Sequence, residues 1–331
     1  MNVTVKDTVA RLLCLLIRFE EPLALLGLYL LSSTLLQLTC STLSGLHYYV
    51  LAQWFYSSDY RRYGRWAVVL TEPGTLGSFY AEELAKKRLD IKLICADVYE
   101  SQAETFAIRL HETYNVEAEV LVLNFSAEGD RLETVLDCLK KNLEVLDIGV
   151  IVTQLPAPPQ PGPHVTVDPC ALGDNIRAIT LMTQLIKIGI NKMKDQDRGC
   201  IVNISHPSGE YPHACLAAYG ATSMFMDYFS RSLCREVACH NIHVQSLTPH
   251  LYNIDDGNLT PHLYDVDDDD EMCTWSSVTP TTVARNAVNG IGKRRSYGYW
   301  LYGLRSFLAS CVPMCFRYYY TNSLMIRRRC A

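Results

Sequence analysis

A chain of 331 residues, 49% apolar and with a formal charge of −5, can bury one large core but lacks the basic excess that nucleic acid demands. Its thirteen cysteines include no CxxC pair and no Cys/His cluster at zinc spacing, so no metal site is expected. An odd number of thiols scattered through apolar segments reads as reduced, buried cysteines in a reducing compartment. The sequons at Asn2, Asn124, Asn203 and Asn258 then carry no sugar.

Residues 1–21 read as an amphipathic amino-terminal segment, and residues 22–58 as a membrane anchor. No Asp, Glu, Lys or Arg occurs from Pro22 to Ser58, more than the roughly 20 apolar residues a bilayer span needs. Tyr48, Tyr49, Trp54 and Tyr56 suit a headgroup belt at its far end. A cleaved signal peptide fits poorly, because the run starts late, after Glu20 and Glu21, and continues too long. A buried core helix is the remaining alternative. Basic residues flank both ends (Lys6, Arg11, Arg18; Arg61, Arg62, Arg65), so charge leaves the orientation open.

From Tyr63 the texture becomes short apolar runs alternating with amphipathic stretches. Strands are expected at Trp66–Leu70, Ile91–Cys95, Ala118–Leu123, Ile148–Val152, Cys200–Ile204 and His243–Leu247. Helices are expected between them at Leu76–Lys87, Ser101–Tyr114, Arg131–Asn142, Asn175–Met193 and Ala217–Cys239. Such alternation, with strands apolar on both faces, predicts an α/β fold: a Rossmann-like doubly wound parallel sheet with right-handed crossovers, following an amino-terminal transmembrane helix.

Two segments interrupt this order. Pro156–Pro163, PAPPQPGP, is a polyproline-type loop directly after the fourth strand. Residues 247–271 hold a local duplication, LTPHLYNIDD then LTPHLYDVDD, ending in an acidic run. Its spacing misses a calcium loop, which needs alternating ligands, a central Gly and a terminal Glu, so a solvated insertion is the expectation. Residues 296–331 form an aromatic and apolar tail ending in Arg327-Arg328-Arg329. They read as an interfacial or substrate-covering segment beside a basic headgroup contact.

YGRWAVV (Tyr63–Val69), AEELAKK (Ala81–Lys87), LDIGVIV (Leu146–Val152), MTQL (Met182–Leu185), VNIS (Val202–Ser205), FSRSL (Phe229–Leu233), IHVQSL (Ile242–Leu247) and GYW (Gly298–Trp300) together resemble the short-chain dehydrogenase/reductase superfamily. The likeness runs from about residue 62 to 304 and narrows to the 17β-hydroxysteroid dehydrogenase and very-long-chain 3-oxoacyl-CoA reductase branch. EPLALLG and RRYGRWAVV bring it nearest to the inactive hydroxysteroid dehydrogenase-like proteins. The domain with the resemblance is taken as residues 62–295.

The resemblance implies NADP or NAD as cofactor, yet the matching positions are altered, so the case in which none binds stays open. The family's TGxxxGxG turn, whose glycines admit a pyrophosphate at a helix N-terminus, is here Leu70-Thr-Glu-Pro-Gly-Thr-Leu-Gly77. Thr71 and Thr75 replace two glycines, Gly77 remains, and Gly74, one position early, could rescue part of the turn. Glu72 adds a negative charge where a dianion would lie. Ala96 stands where an Arg for a 2′-phosphate belongs, and the following Asp97 favours NAD over NADP. Asn124 matches an adenine-contacting Asp, and Thr153-Gln154-Leu155-Pro156 replaces the NNxG signature.

Of the catalytic Asn–Ser–Tyr–Lys set implied by the resemblance, Asn175 and Tyr219 are retained. His206 stands at the Ser position and Ser223 at the Lys position. Without the Lys, a tyrosine of ordinary pKa near 10 has no tuning toward neutrality, and general acid catalysis is worth about 10²–10⁴-fold. A protonated His206 could stand in for both hydroxyl and cation; the plainer reading is a loop histidine without a catalytic task. Two functions follow. The first is a pseudoenzyme at a membrane that binds a partner or lipid-like ligand. The alternative is an oxidoreductase reducing a steroid ketone or a long-chain 3-oxoacyl-CoA. The resemblance further implies a homodimer through helices 175–193 and 217–239. Membrane lipid is the other expected partner, in the endoplasmic reticulum or, alternatively, the mitochondrion.

Overall fold

The computed structural model describes residues 20–46, 59–123, 132–157, 164, 169–249, 278–292, 295–313, 316 and 319. It divides into two units, residues 1–52 and 53–331. In the first, α1 (Glu20–Leu46) is a 27-residue helix. Leu25, Leu26, Leu28, Leu31, Leu36 and Leu38 stand exposed. At about 100° per residue they leave no polar face. Its hydroxyls turn inward on the helix: Ser32 donates to the Tyr29 carbonyl (2.9 Å) and Thr34 to that of Leu30 (2.9 Å). Among the described residues no helix is long and apolar enough to cross a membrane. The second part of the uncharged run, residues 47–58, lies outside the described residues.

In the second unit, β1 (Trp66–Leu70), β2 (Asp90–Ala96), β3 (Ala118–Leu123), β4 (Ile148–Gln154), β5 (Gly199–Ile204), β6 (Ile242–Leu247) and β7 (Arg295–Ser296) form one parallel sheet. Its order is 3-2-1-4-5-6-7. β1, β2, β4 and β5 are buried almost throughout; β1 and β4 show this as nearly continuous apolar runs, whereas β2 buries Asp90 and Lys92 in ion pairs with Arg65 and Glu119. One face is covered by α2 (Leu76–Lys86), α3 (Glu100–Tyr114) and α7 (Pro280–Asn289), whose Tyr80, Leu84, Leu110 and Val283 share a core. The other face carries α4 (Leu132–Glu144), α5 (Pro169–Asp195) and α6 (Ala217–Glu236), with Leu139, Met182, Ile186 and Met226 in a second core. Both faces are covered, as a doubly wound sheet requires. The chain reverses direction between β1 and β4, so a crevice opens at their carboxyl ends.

Several boundaries move from those expected. β4 extends two residues further, to Gln154, because its ladder with β5 continues to Ile204. α5 begins at Pro169 rather than Asn175, with proline at the first helical position. α6 stops at Glu236, and a short turn follows that closes on Asn241 in the left-handed region (φ 52°). β7 and α7 have no counterpart among the expected elements, and α8 (Trp300–Cys311) falls within the segment read as interfacial or substrate-covering. Most of the duplicated acidic loop and the basic tail lie outside the described residues.

Two expectations about cysteine and sugar can be examined directly. Cys95 and Cys200 are buried, and burial pushes their thiols up to about 11 and about 12, so neither is a reactive thiolate. Cys40 and Cys239 are exposed, so burial is not general. Asn203 is fully buried, with its amide bonded to Thr153 and Ser230 (2.7 and 2.8 Å), leaving no approach for a glycan.

Candidate functional site

The crevice is bounded first by the turn from β1 into α2. Gly74 adopts φ +79°, the left-handed conformation that lets Pro73-Gly74 reverse the chain, but it is exposed and nothing lies near it. Thr71 and Thr75 turn inward, and their hydroxyls lie 2.8 Å apart. Gln154, from the end of β4, reaches across to them. Its Oε1 accepts from the Gly77 N–H (2.5 Å) and lies 3.2 Å from the Thr71 hydroxyl and 3.1 Å from that of Thr75. Each hydroxyl has one proton. Thr75 donates at 2.6 Å to the Glu72 carbonyl, and the Thr71 proton then faces the Thr75 oxygen at 2.8 Å, with Gln154 Oε1 further off at 3.2 Å. The free backbone donor at the start of α2 is therefore consumed by the protein's own amide oxygen. Gly77 is kept for this cluster: a Cβ there would lie 2.2 Å from Thr71 Oγ1 and 2.8 Å from Gln154 Oε1.

Glu72 lies beside this closed turn and accepts from the Ala157 backbone N–H. Burial raises its carboxyl above the ordinary value, the backbone bond opposing the shift. The folded chain thus holds the Glu72 proton more tightly than the unfolded chain. That favours folding at low pH and costs stability as pH rises through the carboxylate range. Glu72→Gln is expected to raise the urea midpoint at about pH 7 and to leave it unchanged at about pH 3. A lower midpoint at neutral pH would show instead that the charge is net favourable.

Behind the turn lies a cleft of about 330 Å³, lined by the ends of β1, β2 and β4 and the first turns of α5. Ala96 and Asn175 line it, with Asn175 nearly buried. Thr153 does not, contrary to its expected place among cofactor-contacting residues. Alternate residues of a strand face opposite sides, and here Gln154 takes the crevice side. Thr153 is fully buried beneath α6, and its hydroxyl donates to Asn203 Oδ1 (2.7 Å), whose amide donates to Ser230 (2.8 Å). Asn124 lies outside the described residues.

The residues at the catalytic positions do meet, but their hydrogen bonds are internal. Tyr219, buried on α6, donates its phenolic proton to the Pro156 carbonyl at 2.8 Å. His206 packs against it, ring centroids 5.2 Å apart and edge-on. His206 Nδ1 accepts the Ser208 backbone N–H (2.9 Å) and lies 2.7 Å from the Ser208 hydroxyl. A nitrogen that accepts an N–H carries no proton, so in this arrangement the ring proton belongs to Nε2. Ser223 is 0% exposed, and its hydroxyl donates to the Tyr219 carbonyl one turn back (3.0 Å). The Pro207–Gly209 turn presses on it so closely that a Cβ at Gly209 would lie 3.0 Å from Ser223 Cβ.

Sequence reasoning missed Gln154 as the residue that closes the turn, although it noted the altered segment. It also missed an ionic cluster under α8. Arg295 pairs with Glu210 (3.0 Å) and with the buried Asp227 (3.6 Å). Asp227 also accepts from Ser246 (2.6 Å) and pairs with Arg231 (3.2 Å). Tyr297, bonded to Ser306 of α8, is pushed up to about 12 by burial. Among the described residues, no three His, Cys, Asp or Glu side chains are grouped to hold a metal.

A sequence profile of the short chain dehydrogenase family matches residues 65–256. The chain is 30% identical over 302 residues to a mouse (Mus musculus) protein named inactive hydroxysteroid dehydrogenase-like protein 1, covering 89% of this chain and 87% of that one. It is 28% identical over 277 residues to the very-long-chain 3-oxoacyl-CoA reductase of cattle (Bos taurus), covering 80% and 82%. A solved structure from work on 7β-hydroxysteroid dehydrogenase stereoselectivity superimposes with a TM-score of 0.64 over 80% of this chain and 99% of its own, at 19% identity. That last likeness speaks to the fold alone.

Proposed function

Because this chain belongs to the short-chain dehydrogenase family, we propose that it keeps the family's framework as a pseudoenzyme, without its hydride-transfer reaction. The observation that carries this reading is Gln154 Oε1 seated on the Gly77 N–H, where the family's dinucleotide would need the donors of a helix N-terminus. NAD or NADP does not fit the residues present: the two threonines and Gln154 fill the turn, and Glu72 sets a carboxylate beside it. The relatives named inactive agree with this reading.

Tyr219 has its proton committed to Pro156 and no cation four residues on, so we assign it a structural task. In a coupled assay with NADPH and either a steroid ketone or a 3-oxoacyl thioester, neither the parent protein nor Tyr219→Phe should consume cofactor. Tyr219→Phe should instead cost about 1 kcal/mol of stability, the ordinary worth of one hydrogen bond. Turnover by the parent that vanishes in Tyr219→Phe would establish the other reading, reduction of a steroid ketone or long-chain 3-oxoacyl-CoA. That reading draws on the 5.2 Å approach of His206 to Tyr219 and on the reductases among the relatives.

We further propose a membrane setting. The run 22–58 is uncharged, and exposed leucines surround α1, whose hydroxyls satisfy themselves on its own carbonyls. Trp300, Leu304 and Leu308 form an exposed stripe on α8 at the other end of the chain. We take 1–21, 22–58, 62–295 and 296–331 as the working divisions. By resemblance we assign an endoplasmic-reticulum membrane, with the mitochondrion as the alternative, and a homodimer. Exposed Ile176 on α5 and Phe225 and Tyr228 on α6 supply apolar surface for that dimer.

A further inference from the structure

The cleft behind the closed turn has the chemistry of a site that refuses phosphate. Its apolar walls are Leu70 and Ile94 from the sheet and Leu181 and Met182 from α5, and its polar lining is Thr71, Glu72, Gln154, Asp174, Asn175 and Arg177. Arg177, the cation in its lining, is paired with Asp174 at 3.2 Å. With Glu72, Asp174 and Arg177 counted together, the lining is net negative. The backbone donor that could have greeted an anion is held by Gln154. A volume of about 330 Å³ is at the small end of ligand sites, and apolar walls with a few polar groups are what such sites use.

We propose that this cleft binds a small, largely apolar molecule that offers an ammonium or N–H donor to Glu72 and carries no phosphate or carboxylate. The proposal rests on the reading that no dinucleotide occupies the crevice. The apolar part lies between the sheet residues and α5, and the donor meets the Glu72 carboxylate, whose remaining bond is to Ala157. Desolvating an anion beside the Glu72 carboxylate is costly, which gives the site its charge preference.

Three matched indoles test it on the full chain in detergent: tryptamine as cation, tryptophol as neutral donor, and indole-3-propionate as anion. Titration calorimetry should give tryptamine at least about tenfold tighter binding than indole-3-propionate, with tryptophol between them. Glu72→Gln should bring tryptamine to the level of tryptophol, and Ala178→Trp, which fills the cleft, should weaken all three. Equal binding of cation and anion, an unchanged preference in Glu72→Gln, or no tryptamine binding at millimolar concentration would each overturn the proposal. NADPH is titrated in parallel. NADPH that binds and displaces tryptamine overturns the pseudoenzyme reading, whereas failure of tryptamine with no NADPH binding overturns only this inference.

Discussion

Ser223→Lys, which restores the family's cation in name, is expected to destabilise the protein by about 3–5 kcal/mol and to produce no activity. Ser223 is fully buried, and its hydroxyl is spent on its own helix. A Cβ at Gly209 would lie 3.0 Å from Ser223 Cβ, so the Pro207–Gly209 turn sits close against this position. A lysine there must either bury an unpaired charge or give up its proton, and both states cost folding energy. Tyr219 would gain little, because its phenol already donates to Pro156. Urea denaturation checks this: the midpoint should fall with the slope unchanged. A variant as stable as its parent would show that the α6 face has room for a cation.

Gln154→Ala should have the second largest effect, in two parts. Removing the amide strands the Gly77 N–H in a buried turn, where an unsatisfied group costs about 1–3 kcal/mol. The same change uncovers the start of α2. Inorganic pyrophosphate should then stabilise the variant but not the parent. At a hundredfold excess over its dissociation constant the gain is about 2.7 kcal/mol. Thermal unfolding with and without pyrophosphate reads both parts. An unchanged midpoint would mean that Gln154 is not what closes the helix N-terminus.

The middle of the sheet was legible because β1 and β4 are buried on both faces and announce themselves as nearly unbroken apolar runs. Trp66–Leu70 and Ala118–Leu123 fall where periodicity puts them. β7 was not legible, since two residues, Arg295 and Ser296, carry no pattern and owe their conformation to pairing with β6. Likewise α7 follows the acidic insertion, whose polarity masks the return of the fold. At the site, the losses could be read directly: threonines for glycines, Ser223 for a lysine, His206 for a serine. What replaced the missing ligand could not. Gln154 meets Gly77 across 77 residues of chain, and only the parallel register of Leu70 with Thr153 brings them together. The same register explains the error at Thr153, because one step along a strand exchanges the crevice for the sheet's other face. A joint change of two turn glycines to hydroxyl residues and of a strand-end Asn to Gln is the signal that could have exposed the plug.

The central claim is that the crevice is closed to a dinucleotide, and one titration addresses it. Purified full-length protein is heated with NADPH, and separately with NADH, up to millimolar concentration, while its unfolding temperature and the nicotinamide fluorescence are followed. The account predicts no shift in either. A saturable rise in unfolding temperature at sub-millimolar cofactor, with enhanced fluorescence, would contradict it.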